Sequence, residues 1–114
     1  MSFKDLDVWK RSARLSAELY KALNGLKDYG FRDQITRAGL SIPCNIAEGF
    51  DRDSAKETLR FLYYAKGSSA ELETQIFIGL DIGYILGDQA QKWLSEVHDI
   101  QAMLGGLIRK KKKR

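Results

Sequence analysis

The sequence predicts an all-α fold, an antiparallel up-down four-helix bundle. Apolar residues recur at alternating steps of three and four along four stretches, which is the spacing of an amphipathic helix. Short connections with glycine and helix-capping residues separate the stretches, and short connections favour antiparallel neighbours. The chain has one proline and no convincing alternation of apolar and polar residues, so strands are not predicted.

The length of 114 residues fits one domain, which can bury about two-thirds of its unfolded surface. We assign residues 1–108 to the four-helix bundle and residues 109–114 to a basic, disordered C-terminal tail.

The first helix is predicted from Asp7 to Leu23, where Asn24 and Gly25 favour its end. The members of its expected seam are Leu6, Trp9, Ala13, Ser16, Tyr20 and Leu23.

The second helix is predicted from Phe31 to Glu48, with Gly49 as its end. Its expected buried stripe is Phe31, Ile35, Ala38 and Ile42. Pro43 lies inside it and lacks a backbone N–H, so a kink or local break is expected near residues 39–42.

The third helix is predicted to begin after Ser54, which matches a capping box with Glu57, and to end at Leu86. Gly67 is a candidate bend. The expected seam is Leu62, Ala65, Ser69, Leu72, Ile76, Gly79, Gly83 and Leu86.

The fourth helix is predicted to begin at a second capping box, formed by Asp88 and Gln91. Its expected seam is Ala90, Trp93, Val97, Ile100, Leu104 and Leu107, and Gly105–Gly106 weaken its end.

The segment from Thr74 to Gly87 is apolar almost all round, with Asp81 as its one charged residue. A helix that is apolar all round is usually buried all round. One bundle covers only part of each helix, so this segment favours contact with another subunit. The alternative is that the first and fourth helices cover it.

The positive charge is concentrated in six residues, Arg109, Lys110, Lys111, Lys112, Lys113 and Arg114. The chain has 19 basic and 15 acidic residues, so residues 1–108 keep 13 basic and 15 acidic ones, a net charge of −2. Six adjacent cations can neutralise several phosphates of RNA or DNA. No aromatic residue interrupts them, so they predict no base recognition. A disordered solubilising tail is the alternative.

Catalytic and metal chemistry is not predicted, and neither is a cofactor. His98 has no second ligand at metal-site spacing, and Cys44 is read as a buried structural cysteine. Glu48 could act in acid–base chemistry, but helix packing or capping explains it better. One cysteine, no apolar leader segment and no membrane-spanning stretch favour a cytoplasmic protein without a membrane partner.

Three runs of sequence identify a resemblance to a known family: residues 3–9, residues 37–49 and residues 65–75. The second contains Ser-Ile-Pro-Cys-Asn-Ile-Ala-Glu-Gly, and the third contains Lys-Gly-Ser-Ser-Ala-Glu-Leu-Glu. Over roughly residues 3–108 the chain resembles the four-helix bundles encoded by intervening sequences in bacterial 23S ribosomal RNA genes. These are related to the accessory variability determinants of diversity-generating retroelements.

The resemblance implies a ring-like homopentamer without known enzymatic activity. In the retroelement branch it implies binding to a reverse transcriptase and to nucleic acid through basic surface. This chain differs in two ways: Cys44 stands where serine is common, and the body of the chain is slightly acidic.

The family motif also has a physical interpretation. Ser41 and Asn45 flank Pro43 and could satisfy backbone groups that the proline leaves free. Asn45 and Glu48 could also bond to the third helix near Ser68 or Glu71. The residues assigned to this structural motif are Arg37, Ser41, Pro43, Asn45, Glu48, Gly49, Gly67, Ser68 and Glu71.

Two functions therefore stay open. The first is a non-enzymatic homo-oligomer that binds RNA, DNA or a ribonucleoprotein. The second is a structural or adaptor protein whose ring binds another protein.

Overall fold

A computed structural model of the chain describes residues 2–113, so Arg114 of the predicted basic tail lies outside the described residues. The helices are α1 (Asp7–Ala22), α2 (Tyr29–Phe50), α3 (Ala55–Asp81) and α4 (Gly87–Lys112), preceded by a 3₁₀ turn at Phe3–Asp5. Residues 2–113 contain no strand. The all-α, four-helix prediction is confirmed, and the bundle measures 45 × 20 × 20 Å.

Contacts along α2 and α3 show that the two helices run antiparallel. Thr58 Oγ1 donates to the Gly49 carbonyl over 2.8 Å near one end, and the hydroxyls of Ser41 and Ser68 are 2.8 Å apart further along. Helix α4 returns antiparallel to α3, because the chain reverses at Gly83 and, farther from that turn, Gln101 Nε2 donates to Glu73 Oε1 over 3.0 Å.

Helix α1 completes the bundle by an ion pair with α4. Arg11 donates two hydrogen bonds to Glu96, of 2.9 and 2.6 Å, and one of 2.8 Å to Asp99. The hydrogen bonds from Arg11 lower the pKa of the Glu96 carboxyl. Each helix thus packs against its neighbours in chain order, and α4 closes back on α1.

Most predicted seams form the core. Six of the eight α3 positions are buried, from Leu62 to Gly79, as are the α4 positions from Ala90 to Leu104. Along α2, Ile35, Ala38 and Ile42 are buried, while Phe31 is half-buried.

The predicted seam of α1 is displaced by one residue from the buried face over most of the helix. Its buried residues are Val8, Ser12, Leu15, Ser16 and Leu19. Trp9 and Ala13 are half-buried and Tyr20 is exposed. Two adjacent stripes of this helix have the same spacing, and the stripe with the two aromatic residues lies beside the core rather than in it.

The boundary between α3 and α4 also differs from the prediction. Helix α3 ends at Asp81, not at Leu86, because Gly83 adopts a φ of 81° and reverses the chain. The amides of Tyr84 and Ile85 then donate to the Gly79 carbonyl. The capping box of Asp88 with Gln91 is absent, since Leu86 is the N-cap and provides no side-chain bond.

Three expected interruptions are not present as breaks. Helix α2 is continuous through Pro43 and reaches Phe50, one residue beyond Gly49. Helix α3 is continuous through Gly67. Helix α4 continues through Gly105–Gly106 to Lys112, so residues 109–112 are helical rather than disordered. Buried Ile108 extends the core contact to that end, and cations suit the C-terminal end of a helix.

Two glycines of the family motif give opposite predictions for alanine substitution. A β-carbon on Gly49 would lie 3.0 Å from Phe61 Cβ and 3.2 Å from the Thr58 carbonyl oxygen. Gly49→Ala should therefore lower the free energy of unfolding by about 1–3 kcal/mol. At Gly67 a β-carbon would meet nothing within 4 Å, so Gly67→Ala should raise it by roughly 0.5–1 kcal/mol.

The measurement is urea unfolding of both variants and the parent at one protein concentration. A Gly49→Ala variant as stable as the parent would contradict the tight packing of α2 on α3.

Candidate functional site

The two ends of the bundle differ chemically. We call the end where α2 and α4 finish and α3 begins the basic end; it comprises Phe50, Arg52, Arg60, Phe61, Tyr63, Tyr64 and residues 109–113. We call the opposite end the apolar end; it comprises Tyr29, Phe77, Ile78, Leu80, Ile82 and Leu86. Both definitions follow from the antiparallel order of the helices.

The end of α4 places its cations against aromatic rings of other helices. Lys111 Nζ lies 5.4 Å from the ring centroid of Phe50, and Lys112 Nζ lies 5.6 Å from that of Tyr63. An ammonium group within about 6 Å of a ring centroid is attracted to the ring face. The basic run contains no aromatic residue in the sequence, but two of its lysines lie against rings of α2 and α3 in the structure.

Arg60 on α3 and Arg52 in the connection before α3 make further contacts of the same kind. The Arg60 guanidinium carbon lies 4.7 Å from the Phe61 centroid and 5.5 Å from that of Tyr64. Arg52 lies over Phe61 at 4.8 Å. The contacts form two groups, Lys111 and Lys112 with Phe50 and Tyr63, and Arg52 and Arg60 with Phe61 and Tyr64. The adjacent residues Tyr63 and Tyr64 belong one to each group.

Hydrogen bonds fix the Arg60 guanidinium in place. Arg60 donates to Glu57 Oε1 over 2.8 Å and to Tyr64 Oη over 3.1 Å. The bond to Glu57, followed by that to Tyr64, raises the pKa of Arg60 above its ordinary value. The same pair lowers the pKa of the Glu57 carboxyl. Arg60 is therefore a permanent cation with a defined orientation.

Net positive charge at this end comes from α4. In residues 50–64 the cations Arg52, Lys56 and Arg60 are matched by three carboxylates, Asp51, Asp53 and Glu57. Residues 109–113 add five basic side chains and no acidic one. Arg109, Lys110, Lys112 and Lys113 are exposed, and Lys111 is half-buried beneath them. An anion that approaches this end meets that excess.

The motif residues Ser41, Asn45 and Ser68 form a hydrogen-bonded cluster between α2 and α3. Asn45 Nδ2 donates to the carbonyl and to the hydroxyl of Ser41, over 2.9 Å each. Ser41 in turn reaches Ser68. Asn45 thus acts on α3 through Ser41. The carbonyl it contacts is not the one that Pro43 leaves without a helical donor, which belongs to Gly39.

Other motif residues are dispersed. Glu48 forms an ion pair of 2.7 Å with Arg52, four residues later in the chain, so its predicted contact with α3 is wrong. Arg37, Gly67 and Glu71 are exposed, whereas Pro43 and Gly49 are buried. The buried residues of the motif therefore contribute to helix packing, and its other residues lie on the surface.

The candidate reactive residues His98, Glu48 and Cys44 each have a different environment. His98 Nε2 lies 2.9 Å from Glu73 Oε2 at the surface. Hydrogen bonds from Gln101 and then His98 lower the pKa of Glu73. Within residues 2–113, no group of three or more His, Cys, Asp or Glu side chains is arranged to hold a metal ion.

Cys44 is exposed, so its predicted burial is wrong. It follows buried Pro43 on α2, one step round the helix, and lines an apolar cleft of about 330 Å³ between α1 and α2. Phe3, Trp9 and Leu40 also line this cleft.

Comparison with known proteins bears on this architecture. The profile of the 23S rRNA-intervening sequence protein family matches residues 4–106. The chain belongs to the 23S rRNA-intervening sequence protein family. This confirms the resemblance drawn from the sequence. The match to the 23S rRNA-intervening sequence family ends before the basic residues 109–113 begin.

A solved structure gives the same fold. It is a protein with unknown function from the S23 ribosomal protein family from Bacteroides thetaiotaomicron, 26% identical to this chain, with a TM-score of 0.84. The alignment covers 89% of this chain and 97% of the other. No curated protein matches the chain. No helix in residues 2–113 is long and apolar enough to cross a membrane.

Sequence reasoning missed the aromatic half of the basic end. Tyr63 and Tyr64 follow Arg60 by three and four residues, which is the one sequence signal for this surface. The basic residues at the end of α4 take their aromatic neighbours from α2 and α3, which no local sequence pattern reveals.

Proposed function

We propose that this protein is a non-enzymatic, homo-oligomeric bundle that binds RNA or DNA at its basic end, alone or within a ribonucleoprotein. The observation that carries the proposal is the array of basic side chains at the end of α4, held against Phe50 and Tyr63. A helical array presents its charges at fixed spacing, so less conformational entropy is lost on binding than with a disordered tail. A cytoplasmic location belongs to the same proposal.

Phosphate contacts supply the affinity in this account. Each phosphate neutralised by a lysine or arginine releases condensed counterions, so affinity falls steeply with salt. The cations lie at one end of a bundle whose remaining residues are slightly acidic, which orients the polyanion toward that end.

The apolar end supports self-association. Phe77, Ile78 and Ile82 are 51%, 47% and 51% exposed, and Leu86 is 75% exposed. The alternative that α1 and α4 cover this segment is therefore wrong for the single chain. A second copy is the occupant that we propose, and the family resemblance favours a ring of five. Several copies would present several basic ends to one polyanion, which raises the apparent affinity.

The nucleic-acid part is tested by the salt dependence of binding. Lys111→Gln combined with Lys112→Gln should weaken binding to RNA and DNA and lower the slope of log affinity against log salt by about two. Lys21→Gln with Lys27→Gln removes the same charge at the apolar end and should have little effect.

Fluorescence anisotropy with labelled oligonucleotides over a series of salt concentrations provides the measurement. The absence of binding at low salt, or equal losses from the two double variants, would exclude the basic end as the binding site.

The oligomer is tested by mass in solution. One subunit has a mass of 13.0 kDa, and light scattering should give a multiple of it. Phe77→Glu with Ile78→Glu should dissociate the assembly, because two carboxylates would be buried in an apolar contact. Leu40→Glu, at an exposed leucine away from that end, is the matched control. A parent of one-subunit mass would refute the proposal, as would dissociation by Leu40→Glu alone.

A second candidate function is an adaptor whose ring binds another protein, such as a reverse transcriptase. The observation in its favour is the apolar cleft beside Phe3, Trp9 and Leu40, with Cys44 at its edge. Affinity purification with and without nuclease separates the two functions. A single protein retained after nuclease treatment, and lost on Leu40→Glu, would favour the adaptor.

A further inference from the structure

We infer that the nucleic acid bound at the basic end is single-stranded, and that Tyr63 and Tyr64 stack against its bases on either side of Arg60. The inference rests on the proposed binding of nucleic acid and specifies which form is bound. Base stacking on aromatic side chains is the usual means by which proteins hold single strands without reading their sequence.

The positions of the three residues on α3 place them together. Tyr63 and Tyr64 lie three and four residues after Arg60, so all three share one region of the helix surface. The side chains that flank them in sequence, Leu62 and Ala65, are fully buried and anchor this turn of α3 in the core. The rings are therefore carried by a rigid turn.

Both rings are accessible. Tyr63 is 43% exposed and Tyr64 is 48% exposed, although residues of their size and apolar character are usually more buried. Lys112 lies near the Tyr63 ring, and Arg60 lies near the Tyr64 ring and bonds to its hydroxyl. The cations lie beside the rings, and nearly half of the surface of each tyrosine remains exposed.

The basic end offers a single strand the two kinds of contact that it requires, cations for its phosphates and aromatic rings for its bases. The lysines at the end of α4 can neutralise phosphates while the neighbouring rings contact bases of the same strand. In a duplex the bases are paired and stacked inside, so the tyrosines could reach them only after costly unstacking. A duplex would therefore meet only the cations, and the rings would add nothing.

An anionic membrane fits this surface less well. Membrane binding needs apolar side chains that enter the lipid beside the cations. Four of the five large exposed aliphatic side chains in residues 2–113, Ile78, Leu80, Ile82 and Leu86, lie at the opposite end of the bundle, and the fifth, Leu40, lies in the middle of α2.

The test compares three variants of the full chain. Tyr63→Leu with Tyr64→Leu removes both rings, and Tyr63→Phe with Tyr64→Phe keeps them but removes the hydroxyls. Tyr20→Leu changes a tyrosine of matched exposure, 46%, on α1, outside both the basic end and the apolar end. Circular dichroism and light scattering verify that each variant keeps its fold and mass.

The probes are labelled strands of about 16 nucleotides, the upper range of common single-strand site sizes. They are oligouridine, oligothymidine, a duplex of the same length and a strand of the same length with abasic sugars. Comparison of oligouridine with oligothymidine shows whether the bound strand is RNA or DNA. Vesicles of phosphatidylserine provide the membrane arm.

We expect the leucine double variant to lose at least about fivefold in affinity for the single strands, as loss of stacking predicts. Its affinity for the duplex and for the abasic strand should equal that of the parent. The phenylalanine double variant and Tyr20→Leu should bind every probe as the parent does.

Four results would overturn the inference. Two concern the leucine double variant: an equal loss of affinity for duplex and single strand, or no loss of affinity for any probe. The other two are a loss of affinity in the phenylalanine double variant as large as in the leucine double variant, and ring-dependent binding to vesicles alone. Duplex binding without ring dependence would leave the proposed function standing. The absence of binding to every polynucleotide at low salt would remove both.

Discussion

Helices α2 and α3 approach each other so closely that a β-carbon on Gly49 would lie 3.0 Å from Phe61 Cβ and 3.2 Å from the Thr58 carbonyl oxygen. The hydroxyl of Thr58 binds the Gly49 carbonyl at this crossing, which satisfies a polar contact in a buried place. Further along, Ser41 and Ser68 exchange a hydrogen bond, and at the far end Gly79 leaves room for Ile85 and Phe31. Small residues thus determine how closely the apolar faces of α2 and α3 approach. The register of the remaining helices follows from that contact.

The same register gives the molecule two unlike ends. The approach at Gly49 places Phe50 and the first turns of α3 next to the last turn of α4, so Lys111 and Lys112 meet rings from both helices. At the other end α3 stops at Asp81 and turns through Gly83, which leaves apolar side chains without cover in the single chain. Self-association at one end and polyanion binding at the other would then use separate surfaces and would not compete.

Sequence periodicity predicts the buried face of a helix well where a single stripe keeps steps of three and four over several turns. The α3 stripe from Leu62 to Gly79 and the α4 stripe from Ala90 to Leu104 are such cases, and both are buried. Helix α1 has two adjacent stripes of equal spacing, and only packing against α2 and α4 decides between them. The basic and aromatic surface could not be predicted by spacing, because Phe50, Tyr63 and Lys111 meet only in three dimensions. The hydrogen-bond partners of Asn45 and Glu48 depended in the same way on side-chain geometry.

The central claim is that the basic end is the surface where this bundle contacts a polyanion. Photo-crosslinking tests it most directly, with a single strand that carries photoreactive thymidine analogues and mass spectrometry to locate the joined residues. The account predicts crosslinks in the peptides that contain Tyr63, Tyr64 and Phe50. Crosslinks confined to the peptides that contain Phe77 and Leu86, or distributed evenly over the bundle, would contradict it.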